Sequence, residues 1–417
     1  MISPWPRRPI SELCVEIVDC VNKTAPTVQG PTPFRMIRTT NVKGGFVDLS
    51  EVRYVEEATY RQWTRRQVPR RGDVILTREA PLGQAGLVRD DEGIFLGQRL
   101  MSYRPNPKCL DQRFLLYSLL SPDLQGQIQA LGAGSTVAHM RVPDAERLLV
   151  PTPPHAIQER IGSILGTFDD LIEVNRRRIA RLEEMARRLF EEWFVHFRFP
   201  GHEDSAMRDG QPAEWQRLTL GEVAEVRLGK MLDAAKNRGE LRPYLANVNV
   251  RWGSIDLSEL RAMRFEPDEA EKYGLAYGDI VMCEGGEPGR CAMWKGEAAQ
   301  MMLQKALHRI RARKNMDRNY LFHYLLFTAR SQQLSGLFTG STIKHLPREK
   351  LLSLRVTMPS GDLLERFGRL VTPIEGQIGT LQAAIRQLHE MRDILLPRLI
   401  SGELPVSTAE LELEVAA

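Results

Sequence analysis

The chain has 417 residues, of which 42% are hydrophobic and 26% are charged, and its formal net charge at pH 7 is +4. These proportions permit sizeable hydrophobic cores and, at this length, two to four domains. No run of about eighteen apolar residues occurs, which excludes a membrane-spanning helix. A positive charge this small permits nucleic-acid binding without requiring it.

The amino terminus and the cysteines indicate where the protein works. MISPWPRRPISEL has no apolar segment of a secretory signal, so we expect a cytoplasmic protein with no membrane partner. Five cysteines are widely spaced, without a CxxC pair or clustered histidines. We therefore expect neither disulfides nor a metal site.

A stretch from His155 to Phe194 carries apolar residues at steps of three and four. This spacing places one apolar stripe along one side of a long helix, and such a stripe needs a partner. The positions predicted to face that partner are Ile157, Ile161, Ile164, Phe168, Ile172, Ile179, Leu182 and Leu189.

The predicted partner is a second stretch, from Leu364 to Leu388, whose apolar spacing averages about 3.5 residues and is typical of a coiled-coil seam. Its predicted interface positions are Leu364, Phe367, Val371, Ile374, Ile378, Leu381, Ile385 and Leu388. Pro373 lies inside this stripe and predicts a kink or a helix start there.

The sequence contains an internal repeat. Trp5 aligns with Trp215, VDLSEVR from Val47 with IDLSELR from Ile255, and GSTVAHM from Gly134 with GSTIKHL, at a shift of about 206 to 210 residues. The helical stretches follow in the same register. If they pair antiparallel, equivalent repeats occupy equivalent surroundings, so we expect an approximate two-fold axis within one chain.

Each repeat predicts a mixed α and β globular unit. Short β-branched runs at 73–77, 93–96 and 279–283 predict strands, and the runs 114–128 and 320–334 predict amphipathic helices. The fold class is therefore α+β, with two mixed α/β domains in tandem, separated by two long helices that pair as an antiparallel coiled coil. The expected segments are a first domain at 1–153, a helix at 154–200, a second domain at 201–359, a helix at 360–405 and an acidic tail at 406–417. The composition of residues 198–213, rich in Gly, Pro and charge, predicts a linker there.

No catalytic motif is present in the sequence. It contains no GxxxxGK[ST] phosphate loop, no amino-methyltransferase tetrapeptide of the NPPY or DPPY type, and no GxSxG or HExxH. The Pro-Asp pairs lack a downstream Glu-x-Lys at nuclease-like spacing. We expect no catalytic residue and no cofactor in this chain.

The candidate ligand-binding residues are polar or cationic side chains at matched positions of the two repeats. Asn, Gln, Arg and Lys can bond purine edges, and hydroxyl and cationic groups beside a flexible glycine can meet phosphate oxygens. A polar turn is the open alternative for each of them. The candidates are Arg38, Thr39, Asn41, Lys43, Gln98, Arg99, Ser135, Thr136 and His139 in the first repeat, and Asn247, Asn249, Arg251, Gln304, Lys305, Ser341, Thr342, Lys344 and His345 in the second.

This organisation resembles the specificity subunits of type I restriction-modification enzymes over nearly the whole chain. The segment PTPPHAIQERIGSILGTFDDLIEVNRRRIARLEEMARRLFEEWF is similar to the family's central conserved region, and ERFGRLVTPIEGQI with LLPRLISGEL to its distal one. ISELCVEIVDC with Lys23 to Pro26, and LTLGEVAEV with Gly229 and Lys230, resemble the openings of the two target recognition domains.

The resemblance implies a DNA-reading subunit without catalysis of its own. Each recognition domain would read one half of a split, asymmetric target in double-stranded DNA, and the helices would set the gap. Two methyltransferase subunits would dock on the chain, and restriction subunits would join through them. Two rival hypotheses are a coiled-coil adaptor that binds proteins without DNA selectivity, and a single-chain nuclease or methyltransferase.

Overall fold

A computed structural model describes residues 5–132, 138–233 and 237–410. The chain forms two compact units, which we call unit 1 (residues 1–174 and 385–417) and unit 2 (residues 175–384). Among the residues described, no helix is both long and apolar enough to cross a lipid bilayer.

The strands of unit 1 form one six-stranded mixed sheet and two smaller sheets. Their bounds are β1 Arg7–Pro9, β2 Cys14–Asp19, β3 Arg35–Ile37, β4 Val42–Lys43, β5 Gly45–Val47, β6 Arg53–Tyr54, β7 Val74–Arg78, β8 Leu82–Leu87, β9 Ile94–Leu96, β10 Leu100–Pro105 and β11 Leu149–Pro151. The short helices of unit 1 are α1 Glu57–Trp63, α2 Gln112–Leu120, α3 Pro122–Gly132 and α4 Val142–Ala145. A long helix, α5 His155–Phe190, follows.

Unit 2 repeats this series. Its strands are β12 Met207–Arg208, β13 Gln211–Pro212, β14 Gln216–Thr219, β15 Ala224–Leu228, β16 Glu240–Leu245, β17 Arg261–Phe265, β18 Ile280–Cys283, β19 Cys291–Met293, β20 Met302–Leu303, β21 Leu307–Ala312 and β22 Arg355–Met358. Its short helices are α6 Leu220–Val223, α7 Pro267–Tyr273, α8 Arg318–Arg330 and α9 Arg348–Leu352. The second long helix is α10 Gly361–Ser401.

The strand order shows the duplication directly. Unit 1 has the order β2-β10-β7-β8-β5-β4 in its main sheet, and unit 2 has β15-β21-β18-β19. Beside each lies a three-stranded sheet, β6-β3-β9 in unit 1 and β17-β16-β20 in unit 2. In both small sheets the central strand pairs antiparallel on one side and parallel on the other. The repeat predicted from sequence is thus confirmed.

Both long helices are confirmed, and each contributes to both units, because the unit boundaries fall between residues 174 and 175 and between residues 384 and 385. Within unit 1, Arg160 of α5 bonds Glu410 and Asp169 bonds Arg392 of α10. The residue with the higher number in α5 pairs with the residue that has the lower number in the second segment, so here the two segments run antiparallel. Ile161, Ile164 and Phe168 join the unit 1 core together with Leu396, Leu399 and Ile400.

Within unit 2 the end of α5 lies against the beginning of α10. The rings of Phe190 and Phe194 pack on Phe367 with centroids 6.2 and 5.0 Å apart, and Leu364 and Val371 belong to the same core. Every other predicted stripe position is buried or half-buried; these are Ile157, Ile172, Ile179, Leu182, Leu189, Ile374, Ile378, Leu381, Ile385 and Leu388.

Three sequence predictions differ from the structure. The helix predicted at 114–128 is divided at Ser121, because the residue before a proline avoids the helical region and Pro122 starts α3. Of the two alternatives predicted at Pro373, a kink or a helix start, the helix start is wrong, since α10 begins at Gly361 and continues through Pro373. The expected linker at 198–213 contains a short turn and the β12–β13 pair.

Candidate nucleic-acid interface

In unit 1, one end of the main sheet brings together candidate residues that are distant in sequence. Gln98 and Arg99 form the turn between β9 and β10, and Arg99 pairs with Glu79 at 3.2 Å. Glu79 follows β7 and forms an isolated bridge with His139. Parallel pairing of β3 with β9 continues to Arg38, because the Gly97 amide donates to Ile37. We call Arg38, Gln98, Arg99 and His139 rim 1.

The equivalent end of the unit 2 sheet also gathers candidate residues that are distant in sequence. Gln304 and Lys305 turn from β20 into β21, and the Gln304 amide donates to the Leu245 carbonyl at 3.1 Å. The backbones of His345 and Gly285 form a bridge, and a Cβ built on Gly286 would lie 2.9 Å from the Asn247 amide nitrogen. We call Asn247, Gln304, Lys305, Lys344 and His345 rim 2.

Rim side chains differ in how free they are to meet a ligand. Gln98, Arg99, His139, Lys305, Lys344 and His345 are exposed, whereas Arg38, Asn247 and Gln304 are half-buried. Arg38 is held by a 3.0 Å hydrogen bond from its guanidinium to the Glu51 carbonyl. The Gln98 amide oxygen accepts from the Thr24 hydroxyl at 3.2 Å.

Asn41 and Asn249 do not fit their predicted base-reading role. Both are buried, with 3% and 4% of their surface exposed. The Asn41 side chain accepts from the Arg38 amide and donates to the carbonyls of residues 48 and 51, at 2.9 to 3.2 Å. Asn249 makes the same three bonds to residues 246, 256 and 259. The matched asparagines therefore close matched loops, and neither can reach a base edge.

Other candidates lie beside the rims. Thr39 and Lys43 flank Asn41, and Lys43 is exposed. Arg251 is exposed and pairs with Asp256 at 3.3 Å, which holds it on its own loop.

The two Gly-Ser-Thr loops can be compared only in part. Ser135 and Thr136 lie outside the described residues. In unit 2 the loop is a tight turn closed by two hydrogen bonds between the backbones of Thr339 and His345, at 2.8 and 2.9 Å. Its Ser341, Thr342 and Lys344 are exposed, which leaves their hydroxyl and ammonium groups accessible.

The acidic members of the rims were not anticipated from sequence. Glu79 pairs with Arg99 and Glu284 approaches the His345 ring at 3.9 Å, so each rim carries one carboxylate. The two carboxylates stand at adjacent repeat positions, because Glu284 is equivalent to Arg78 and Glu79 to Gly285.

Among the described residues, neither a metal site nor a reactive thiol is found at the rims. Within residues 5–132, 138–233 and 237–410, no group of three or more His, Cys, Asp or Glu side chains could hold a metal ion. Cys283 lies next to Glu284, and burial raises the pKa of its thiol despite the nearby Arg290 guanidinium. Burial also raises the pKa of Cys291 to about 12, so both sulfurs stay protonated at neutral pH.

Two diverged copies of a mixed sheet, each with a polar rim and each joined to two long helices, define a DNA-specificity architecture. The family model "Type I restriction modification DNA specificity domain" matches residues 46–184 and 212–363. The chain belongs to this family.

Its relatives include specificity subunits of type I restriction enzymes. The chain is 23% identical over 368 residues to the MjaIX specificity subunit of Methanocaldococcus jannaschii, covering 85% of this chain and 82% of that one. It is 21% identical over 314 residues to the EcoKI specificity subunit of Escherichia coli K12, covering 71% and 66%. The crystal structure of a type I S subunit from Mycoplasma genitalium superposes with a TM-score of 0.52 at 18% identity, over 95% of this chain and 96% of that one.

Proposed function

We propose that this chain is the DNA sequence-specificity subunit of a type I restriction-modification complex. It reads a bipartite, asymmetric target in double-stranded DNA, one half with each recognition domain. Residues 1–153 and 201–359 are the two recognition domains, and the segments at 154–200 and 360–405 are the conserved helices between and after them. The chain acts in the cytoplasm, where its DNA lies.

The observation that carries this proposal is that the two rims occupy the same place in the repeat with different side chains. By backbone pairing, Gln98 and Arg99 in rim 1 correspond to Lys305 and Ala306 in unit 2. Arginine forms two parallel hydrogen bonds with guanine, whereas lysine approaches it as a single charged point. Two units that share one fold but carry different rim side chains suit a DNA target whose two halves differ in sequence.

The chain supplies specificity, and its partners supply chemistry. Two methyltransferase subunits bind the chain, and restriction subunits associate through them. The sequence contains no motif for methyl transfer or phosphodiester cleavage, and the buried thiols near rim 2 are protonated, which supports a subunit without catalysis of its own.

Methylation mapping tests the proposal. Cells that express the chain with its methyltransferase subunits should methylate one bipartite motif. Exchanging residues 1–153 for the first domain of a relative should change one half of that motif and leave the other half unchanged. A change in both halves would overturn the assignment of one domain to each half.

Point substitutions give a finer test within one domain. Gln304→Ala with Lys305→Ala should relax or abolish discrimination in the half read by unit 2 only, while Gln98→Ala with Arg99→Ala should affect the other half. A complex that recovers methyltransferase subunits but shows no DNA selectivity would instead favour the coiled-coil adaptor. Methyl transfer by the purified chain alone would show that it carries its own active site.

A further inference from the structure

The segment between α1 and β7 of unit 1 differs from its counterpart in unit 2 in both length and charge. It reads TRRQVPRR at residues 64–71, which we call the arginine loop. In unit 2 the segment between α7 and the equivalent Gly278 is GLAY, residues 274–277. Gly72 and Gly278 mark the same position, because both have positive φ and donate to equivalent carbonyls, at 3.0 and 2.8 Å. The arginine loop is therefore four residues longer (8 − 4) and carries four arginines where unit 2 carries none.

The charges of the preceding helices, α1 and α7, increase the difference in charge between the two units. In unit 1, Arg61 lies in the last turn of α1 and pairs with Glu57 across one helical turn. In unit 2, α7 carries Asp268, Glu269 and Glu271 against Lys272 alone. The short helix and the loop that follows it are therefore strongly basic in unit 1 and acidic in unit 2.

The backbone of the arginine loop is fixed along the edge strand β2. Arg66 donates to the Asp19 carboxylate at 2.6 Å and to the Cys20 carbonyl at 3.2 Å. Buried Gln67 donates to Glu16 at 3.0 Å. The Arg104 guanidinium donates to the Val68 carbonyl, also at 3.0 Å. These bonds fix the loop at both ends of the strand before any ligand binds.

Further acidic groups bind the main chain of the loop rather than its side chains. The Asp73 carboxylate accepts from the Arg70 amide at 2.9 Å, and Asp91 accepts from the Arg71 amide at 3.0 Å. This leaves the guanidinium groups of Arg70 and Arg71 free to point elsewhere.

Three arginines of this rigid loop remain available. Arg65, Arg70 and Arg71 are exposed, and within the described part of the chain their guanidinium groups form no ion pair, although Arg65 donates a 3.2 Å hydrogen bond to the Gln62 carbonyl. Arg65 and Arg70 line an open concavity of about 470 Å³ together with Arg66 and Arg104. Unneutralised guanidinium groups on a preorganised backbone are well suited to bind phosphate oxygens in pairs.

The arginine loop adjoins rim 1 at Arg66, whereas Arg70 lies beside Asp73, at the opposite end of β7 from rim 1. Cys20 accepts from the Arg66 guanidinium through its carbonyl and from the Arg99 amide through its sulfur, at 3.2 and 3.0 Å. A duplex that contacts Arg99 would thus have its backbone within reach of the loop.

We propose that the arginine loop is a phosphate-binding clamp for duplex DNA that only the first recognition domain possesses. The inference rests on the proposed function and adds an asymmetry to it. The half-site read by unit 1 holds the DNA largely through charge, and the half-site read by unit 2 depends more on its direct base contacts. The loop contributes affinity without selecting sequence, because phosphates are the same at every base pair.

The test measures the salt dependence of DNA binding. The full chain in complex with its methyltransferase subunits is titrated onto fluorescein-labelled duplexes over a series of KCl concentrations, once with the methylated motif and once with a scrambled sequence. Replacing Arg65, Arg70 and Arg71 by Gln should reduce the slope of log Kd against log[KCl] by about 2 to 3, since each phosphate contact contributes about 0.9. The ratio of affinities for the two duplexes should not change.

Two controls separate this role from simple shielding of an edge strand. Arg147→Gln removes an exposed arginine of unit 1 outside the loop and should leave the slope unchanged. Grafting TRRQVPRR in place of residues 274–277 should increase the slope.

An unchanged slope in the triple variant, or a lost preference for the motif at an unchanged slope, would overturn the clamp while leaving the proposed function standing. A wild-type complex that does not prefer its motif at any salt concentration would overturn the proposed function itself.

Discussion

The guanidinium of Arg392 donates a 2.7 Å hydrogen bond to the carboxylate of Asp169, and both side chains are almost entirely excluded from solvent. The Tyr117 hydroxyl donates to the other oxygen of Asp169, also at 2.7 Å. One buried carboxylate on α5 thereby connects α2 to α10 within unit 1.

Removing the charge of Asp169 should destabilise unit 1. Asp169→Asn removes the buried anion of Arg392 and leaves it only the exposed carboxylate of Asp393, which costs about 3 kcal/mol. Urea denaturation followed by circular dichroism would measure this loss. Glu365→Gln, which breaks an exposed pair with Arg369, should cost less than about 0.5 kcal/mol. Equal effects from the two substitutions would contradict the importance of the buried pair.

Unit 2 places Glu375 at the repeat position of Asp169, facing His323 at 3.3 Å and Lys295 at 2.9 Å. Burial alone would raise the pKa of this carboxyl, but the His323 hydrogen bond and the Lys295 charge outweigh it and lower the pKa from 4.5 to about 2. A lowered pKa in the folded state means that Glu375 stabilises unit 2 fully above pH 4.5 and that this contribution is lost as the pH falls towards 2.

Glu375→Gln should therefore remove a pH-dependent part of the stability. At pH 7 the free energy of unfolding should fall by roughly 3 kcal/mol, and the gap between the variant and the wild type should narrow as the pH falls below 4.5. Urea unfolding at a series of pH values gives both quantities. A gap independent of pH would mean that Glu375 acts through its shape and not through its charge.

Asn247 and Asn249 make a matched pair for separating a structural role from a binding one. Asn249→Ala removes three hydrogen bonds of a buried side chain and should cost about 1 to 3 kcal/mol in unfolding experiments. The side chain of half-buried Asn247 belongs to rim 2, so Asn247→Ala should change DNA affinity with a stability loss below about 0.5 kcal/mol. The opposite pattern would return Asn249 to the base-reading candidates.

Two glycines on the same long helix should respond to alanine with opposite signs. A Cβ at Gly368 would lie 2.7 Å from the Asp317 carboxylate, which caps α8 by accepting from two backbone amides at 2.9 Å. Gly368→Ala should thus cost about 1 to 3 kcal/mol. Nothing lies within 4 Å of a Cβ at Gly376, so Gly376→Ala should stabilise the helix by about 0.5 to 1 kcal/mol. Thermal unfolding of both variants gives the two signs.

The long-range plan of the fold was readable because the chain repeats itself and its helical stripes are long. Single polar residues were harder to assign. Asn41 and Asn249 recur at one repeat position, and recurrence is equally consistent with closing a loop and with reading a base. Burial distinguishes the two, and it depends on tertiary packing that a pattern of residue types does not contain. The arginine loop was overlooked because it has no counterpart in the second repeat, although four arginines in eight residues were visible in the sequence.

Unit 1 is completed by residues that follow unit 2 in the chain. Leu404, Val406 and Ala409 lie in its core, and Glu410 bonds Arg160 near the start of α5. During translation the ribosome therefore releases all of unit 2 before it supplies the final piece of unit 1. Until residues 385–410 are synthesised, the apolar surface of unit 1 that they cover stays exposed to solvent.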